Sequence, residues 1–167
     1  DTATAVAKGP LSVARYNLGA TGNTDFGYFG GGIISAHAST VDGVDCSNDT
    51  ATAAVKGPLS VARSDLGATG NADFGYFGGG NPGPKSTVDR IDYSNDTATA
   101  VAKGPLTVAR YGLAATGNQS FGYFVGGIGK TTVDRVDYSN DTATASPKGP
   151  LTAVTRYNTS TGNANFG

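Results

Sequence analysis

The chain repeats itself at a period too long for one helix or strand and too short for an ordinary domain. The string "DTATA" begins at Asp1, Asp49, Asp96 and Asp141, at spacings of 48, 47 and 45 residues. "KGPL" begins at Lys8, Lys56, Lys103 and Lys148, and "TGN" at Thr21, Thr69, Thr116 and Thr161. A unit of this size cannot bury an apolar face alone, so neighbouring units must stack. Length varies in only one stretch, "IISAHA", "NPGPK" or "IGK", which marks it as a surface loop. The array divides into repeats 1–48, 49–95 and 96–140, with a partial copy at 141–167.

Each repeat reads as four short strands. The first, Val13 to Thr21 in the opening copy, is small and apolar and ends at a Gly-Asn turn. The second is "FGYFGG", whose aromatics suit a pleated surface. The third, "STVDRIDYS" at 86–94, alternates, with Val88, Arg90 and Asp92 on one face and Asp89, Ile91 and Tyr93 on the other. The fourth, "TATAVAKG" at 97–104, closes at Gly-Pro. No segment carries a capped helical period. Four strands in 45 to 48 residues match a β-propeller blade, so the predicted fold class is all-β with four-stranded antiparallel blades.

Charge narrows the partners. Twelve basic and 13 acidic residues leave a net charge of −1 with no basic patch, which argues against nucleic acid. No apolar run approaches the roughly 18 residues of a spanning helix, so no membrane insertion is predicted. The start lacks a methionine and the apolar core of a signal peptide, and reads as a processed or excised end. Cys46 is the only cysteine, which rules out an internal disulfide framework.

The aromatic pair followed by glycines, then "VDRIDYSND", then "PL" and an arginine, resembles the kelch repeat. The matching residues are Gly78 and Gly79, Asp92 and Tyr93, and Arg110, with their equivalents in the other copies. The resemblance implies a propeller blade in which the glycines end the second strand and the arginine leads into the next blade. It also implies a tryptophan in the fourth strand, where this chain has "TATA" and no tryptophan anywhere. Thinner packing between blades is the expectation there. "STVDRIDYSNDTATA" and "GPLSVARYNLGATGN" are similar to kelch-type tandem arrays of bacteriophage and environmental microbial structural proteins. That implies a virion or extracellular surface setting.

Several chemistries can be weighed against architecture. A phosphate loop needs a following helix and a lysine in register, and "FGYFGGG" at 74–80 has neither, so it reads as a strand end. Arg15, Arg63, Arg110 and Arg156 share one phase. Asp42, Asp89 and Asp134, and also Asp45, Asp92 and Asp137, occupy two others. These are expected to form a ring of ion pairs between blades, with an anion or sugar-acid site as the sharper alternative. The "DYSND" turns space carboxylates for calcium, but Asn and Asp also make such turns by bonding their own backbone. Asn48, Asn95 and Asn140 fit the glycosylation pattern, as do Asn118 and Asn158. Ice binding by the Thr-Ala-Thr stretches would need them closely stacked, and they fall on separate units.

Catalysis has little support. His37 is the only histidine, too few for a copper site, and Cys46 takes the phase of Tyr93 and Tyr138. Candidate acid pairs recur equally in every repeat, whereas an active site normally breaks a repeat. The expectation is therefore no enzyme, no cofactor and no metal. The chain reads as a structural or adhesive scaffold whose partners are other protein chains, copies of itself, or surface glycans. A second copy could complete a seven-bladed ring, and a carbohydrate- or protein-binding module is the alternative. Partner contacts are expected on the loops at 33–38, 81–85 and 128–130, through Ile33, His37, Asn81, Lys85 and Lys130.

Overall fold

The computed structural model describes residues 4–157 and 159. It is all-β, with three four-stranded antiparallel sheets, each strand beside its successor. The first holds β1 (Gly19–Gly22), β2 (Phe26–Gly30), β3 (Val41–Asp45) and β4 (Ala54–Lys56). The second holds β5 (Gly67–Gly70), β6 (Phe74–Gly78), β7 (Val88–Asp92) and β8 (Val101–Ala102). The third holds β9 (Ala114–Gly117), β10 (Phe121–Val125), β11 (Val133–Asp137) and β12 (Ser146–Lys148). Helix among the described residues is confined to single 3-10 turns at Tyr93–Asn95 and Tyr138–Asn140. The first strands β1, β5 and β9 lie side by side across successive sheets.

Two strands are shorter than the sequence pattern suggests. The first begins at Gly19, because Val13 to Leu18 is a connector held by a buried arginine. The fourth shrinks to Val101–Ala102 in the second unit, because the Thr-Ala-Thr stretch turns away. Ala98 N–H donates to Asn95 O, and Ala100 N–H donates to Pro58 O in the preceding connector. Where a tryptophan was expected, small residues let backbones meet. Ala53, Ala100 and Ala145 are buried, and Gly57 and Gly104 N–H donate to Asp96 and Asp141 O at 2.8 Å.

The hydrophobic core lies between sheets. Tyr28 and Val41 of the first unit pack with Leu59, Leu66, Phe77, Ile91 and Ala100 of the second. Tyr76 and Val88 of the second pack with Leu106, Leu113, Phe124, Val136 and Ala145 of the third. Strand alternation explains the split, since adjacent residues such as Tyr76 and Phe77 point to opposite faces. Every unit thus has a leading face and a trailing face.

A glycine makes the junction close. A Cβ placed on Gly30 would lie 2.6 Å from the Phe77 ring, and Phe124 crowds Gly78 in the same way. Tyr28 stacks on Tyr93 at 4.7 Å, and Tyr76 on Tyr138 at 4.6 Å. The next two glycines, Gly79 and Gly80, have φ of 72° and 113°, a region that L side chains rarely enter. Gly80 N–H donates to Arg110 O of the next unit at 2.9 Å. The repeated glycines therefore end a strand and join it to its neighbour.

Replacing Gly78 with valine should lower unfolding free energy by about 1–3 kcal/mol through overpacking against Phe124. Urea denaturation checks this, and an unchanged midpoint would refute the seat as a packing constraint.

Candidate functional site

Three arginines at one phase of the repeat are buried in ion pairs. Arg15 lies 2.6 Å from Asp42, Arg63 lies 3.0 Å from Asp89, and Arg110 lies 2.7 Å from Asp134. Each aspartate also accepts from a connector hydroxyl at 2.6 Å, from Ser12, Ser60 and Thr107 in turn. Each guanidinium donates to a second-strand carbonyl, those of Phe29, Phe77 and Phe124. All of these partners belong to one unit, so the frame pins a connector to its own sheet. This corrects the expected ring of pairs between units. Burial pulls the Arg63 pKa down, opposed by the Asp89 carboxylate beside it. Asp89 meets that charge within the frame, while Arg63 Nε and Nη1 are buried without a hydrogen-bond partner.

Asp45, Asp92 and Asp137 do something else. Asp92 Oδ1 accepts from Ser94 N–H and Oγ–H at 2.9 and 2.6 Å, and Asp45 and Asp137 do the same with Ser47 and Ser139. The serine hydroxyls hold these carboxyls below their ordinary pKa. The second carboxylate of each turn has other partners. Asp96 meets Lys56 at 2.8 Å and Tyr28 at 2.9 Å, and Asp141 meets Arg90 at 2.8 Å and Lys103 at 3.2 Å. Among the described residues, no group of three or more His, Cys, Asp or Glu is placed to hold a metal ion.

Arg156 falls outside the arginine phase. The last copy reads "LTAVTR" where the others read "LSVAR" or "LTVAR", one residue longer. Thr155 takes the arginine's backbone place, with its N–H toward Lys130 O as Arg110 N–H is toward Lys85 O. Arg156 itself is exposed.

Two matching clefts open where one sheet meets the next. One, of about 460 Å³, is lined by Asn23 and Phe26 on one side and by Asp73, Phe74, Asp92 and Ser94 on the other. The second, of about 430 Å³, places Asn71 and Phe74 opposite Gln119, Phe121, Asp137 and Ser139. Guanidinium groups cover the phenylalanines, with Arg90 and Arg135 each 4.2 Å from the rings of Phe74 and Phe121. In the first unit Gly43 replaces that arginine, and the Lys56 stem fills the space. These clefts lie at the β1–β2 turn end of the sheets. Sequence reading missed them because each is assembled from two units.

The variable loops lie at the opposite end, since hairpin turns alternate along a meander. Ile33, His37, Asn81, Lys85 and Lys130 are half-buried shoulders of those loops. Their backbones bridge to neighbours, Asn81 to Ser64 and Lys85 to Arg110. The exposed tips are instead residues 34–36, 82–84 and 129. His37 Nδ1 lies 3.1 Å from Ser64 Oγ, which donates to Asp65 at 2.7 Å. That order differs from a nucleophilic triad, in which histidine stands between serine and carboxylate. Ser64 is fully buried, so the chain of bonds ties a loop to the next connector.

No family model matches this sequence, and no curated protein matches it.

Two predictions follow from these networks. Asp89→Asn leaves the buried Arg63 charge uncompensated and should cost about 3–5 kcal/mol, read by urea unfolding. Burial also pushes the Tyr93 and Tyr138 phenols up to about 12, against the opposing bonds from Thr21 and Thr69. Tyr28 and Tyr76 are raised as well, first by burial and then by the carboxylates of Asp96 and Asp141. The folded state thus prefers neutral phenols. Their contribution is complete below about pH 10, the unfolded value, and is lost as pH rises through about 12. Phenolate absorbance should show a late step that coincides with loss of the β circular-dichroism signal. A late step without unfolding would overturn this assignment.

Proposed function

We propose that this chain is a non-enzymatic structural and adhesive scaffold. Its three sheets are read as consecutive blades of a kelch-like β-propeller in a virion or extracellular surface assembly. The observation that carries this reading is the contrast between repeated frame and varied tips. Arginine–aspartate pairs, tyrosine stacks and glycine seats recur from unit to unit, while residues 34–36, 82–84 and 129 differ and share one end. Evenly spaced loops on a rigid support suit contact with a large partner. The recurring carboxylates are engaged in turns and ion pairs, which favours support over chemistry.

A second reading, carbohydrate binding, draws on the clefts. Phenylalanine, amide, hydroxyl and carboxylate groups meet there in volumes fit for a sugar or two.

Exchanging residues 34–36 and 82–84 for Gly-Ser stretches should cut binding to immobilised cell-surface preparations at least tenfold and leave the fold unchanged. Retained binding that is lost in Phe74→Ala instead would favour the cleft reading. Binding unaffected by both changes would sink the adhesive role.

A further inference from the structure

The two junction clefts are parts of one groove. A third cavity, of about 410 Å³, lies between them, sharing Asn23, Asp25 and Ala72 with the first and Asn71 and Gln119 with the second. The groove therefore crosses all three units at the turn end, opposite the variable loops. Its rim is built from a turn that recurs in every unit. Asn23 Oδ1 accepts from the N–H groups of Asp25 and Phe26, and Asn71 and Asn118 serve their own turns in the same way. Asp25 and Asp73 stand exposed in this lining.

The groove is rich in acceptors and poor in donors. Asp25, Asp73, Asp92 and Asp137 line it, and no lysine or arginine does. Asp92 and Asp137 use Oδ1 to accept from Ser94 and Ser139, which leaves each Oδ2 free among the described residues. The same serine bonds hold both carboxyls below their ordinary pKa, so they stay charged in mild acid. The donors are mostly spent. Both serine hydroxyls are turned onto those aspartates, and the Asn23 and Asn71 amides donate to Ala72 O and Gln119 O. The nearest guanidinium groups, Arg90 and Arg135, pack behind the Phe74 and Phe121 rings, and Arg90 is paired with Asp141.

A ligand that fits must bring hydrogen-bond donors and positive charge. Four carboxylates repel a polyanion. A peptide carries one carbonyl acceptor per residue, and in this groove those carbonyls would find few donors. An N-acetylated sugar meets the same difficulty at its acetyl oxygen. A sugar with free amines brings ammonium and hydroxyl donors without that carbonyl. Its C–H faces can lie against Phe26, Phe74 and Phe121, which supply the apolar part of the lining.

We infer that the groove binds a linear polysaccharide bearing free, protonated amino groups, laid across successive junctions with its ammonium groups on Asp25, Asp73, Asp92 and Asp137. The recurrence of the lining favours a polymer over a single sugar, because a repeating chain meets each junction in the same way. The inference rests on the carbohydrate reading of the clefts and names the sugar class that reading left open. It does not depend on what the loop tips bind.

Titration calorimetry with a glucosamine hexamer tests it, at low salt and about pH 5.5, where amines are protonated and these carboxylates are not. The hexamer should bind. Affinity should fall about tenfold or more for the N-acetylated hexamer, and likewise when Asp25→Asn is combined with Asp73→Asn. The turns hold both residues through their backbone N–H groups, so the double variant should keep its circular-dichroism spectrum. A parent chain that does not bind the glucosamine hexamer overturns the inference, as does undiminished binding by the double variant. Equal binding of the acetylated hexamer, lost in Phe74→Ala, would overturn the amino-sugar class and leave the carbohydrate reading standing. Binding of neither hexamer would remove that reading as well. Pentalysine binding more tightly than the glucosamine hexamer would overturn the inference in favour of a basic peptide.

Discussion

The seating of one sheet's phenylalanine on the bare backbone of the sheet before it sets the spacing of the whole array. Phe77 on Gly30 and Phe124 on Gly78 bring successive sheets close enough for tyrosines to stack and Gly-Pro turns to bond across the junction. The two hydrophobic clusters are both junction cores, each drawing its residues from two units. A unit on its own would expose both faces, with too little burial to offset the ordering of some 47 residues. Stability therefore belongs to junctions, and a change at one glycine acts on two units together.

The buried arginines solve a different problem. A connector, residues 57–66 or 103–113, must leave the fourth strand of one sheet and enter the first strand of the next. Its leucines anchor it in the junction cores, Leu59 and Leu66 in one and Leu106 and Leu113 in the other, but such contacts do not fix direction. A guanidinium that bonds an aspartate and a second-strand carbonyl together fixes the path through directional contacts. Burying a charge pair adds little net stability, because desolvation offsets most of the attraction. Its value here is geometric. Each connector arrives in the same place, and the next sheet's first strand starts in register.

The repeat made much of this legible. Strand number, the antiparallel meander and the role of the glycines all follow from spacing and alternation, and the three sheets bear them out. The arginine partner was a closer matter. Asp89 shares strand parity with Ile91, which is buried, whereas Asp92 has the opposite parity and sits where the strand ends. Parity alone did not separate the two aspartate phases, because Val88 on the Asp92 face is as buried as Ile91 on the Asp89 face. The displaced arginine was also visible, as one extra residue in "LTAVTR". The clefts were beyond reach, because no single repeat contains one. Strand lengths erred for a related reason, since the Thr-Ala-Thr stretch bonds to the preceding connector rather than to its own sheet.

A meander sends its turns alternately to two ends, and repetition treats those ends differently. At one end the turns between first and second strands meet their neighbours through Asn23 to Ala72 and Asn71 to Gln119, so their sequences stay nearly alike. Any ligand held there would be met again at the next junction, and affinity would grow with the number of junctions engaged. At the other end only the loop shoulders bond to neighbours, which frees the tips to change length and composition. An array under the same packing constraint can therefore keep one uniform face while diversifying the other. Stability and recognition can then change independently, because the residues that set the first lie in the junctions and those available to the second lie at the tips.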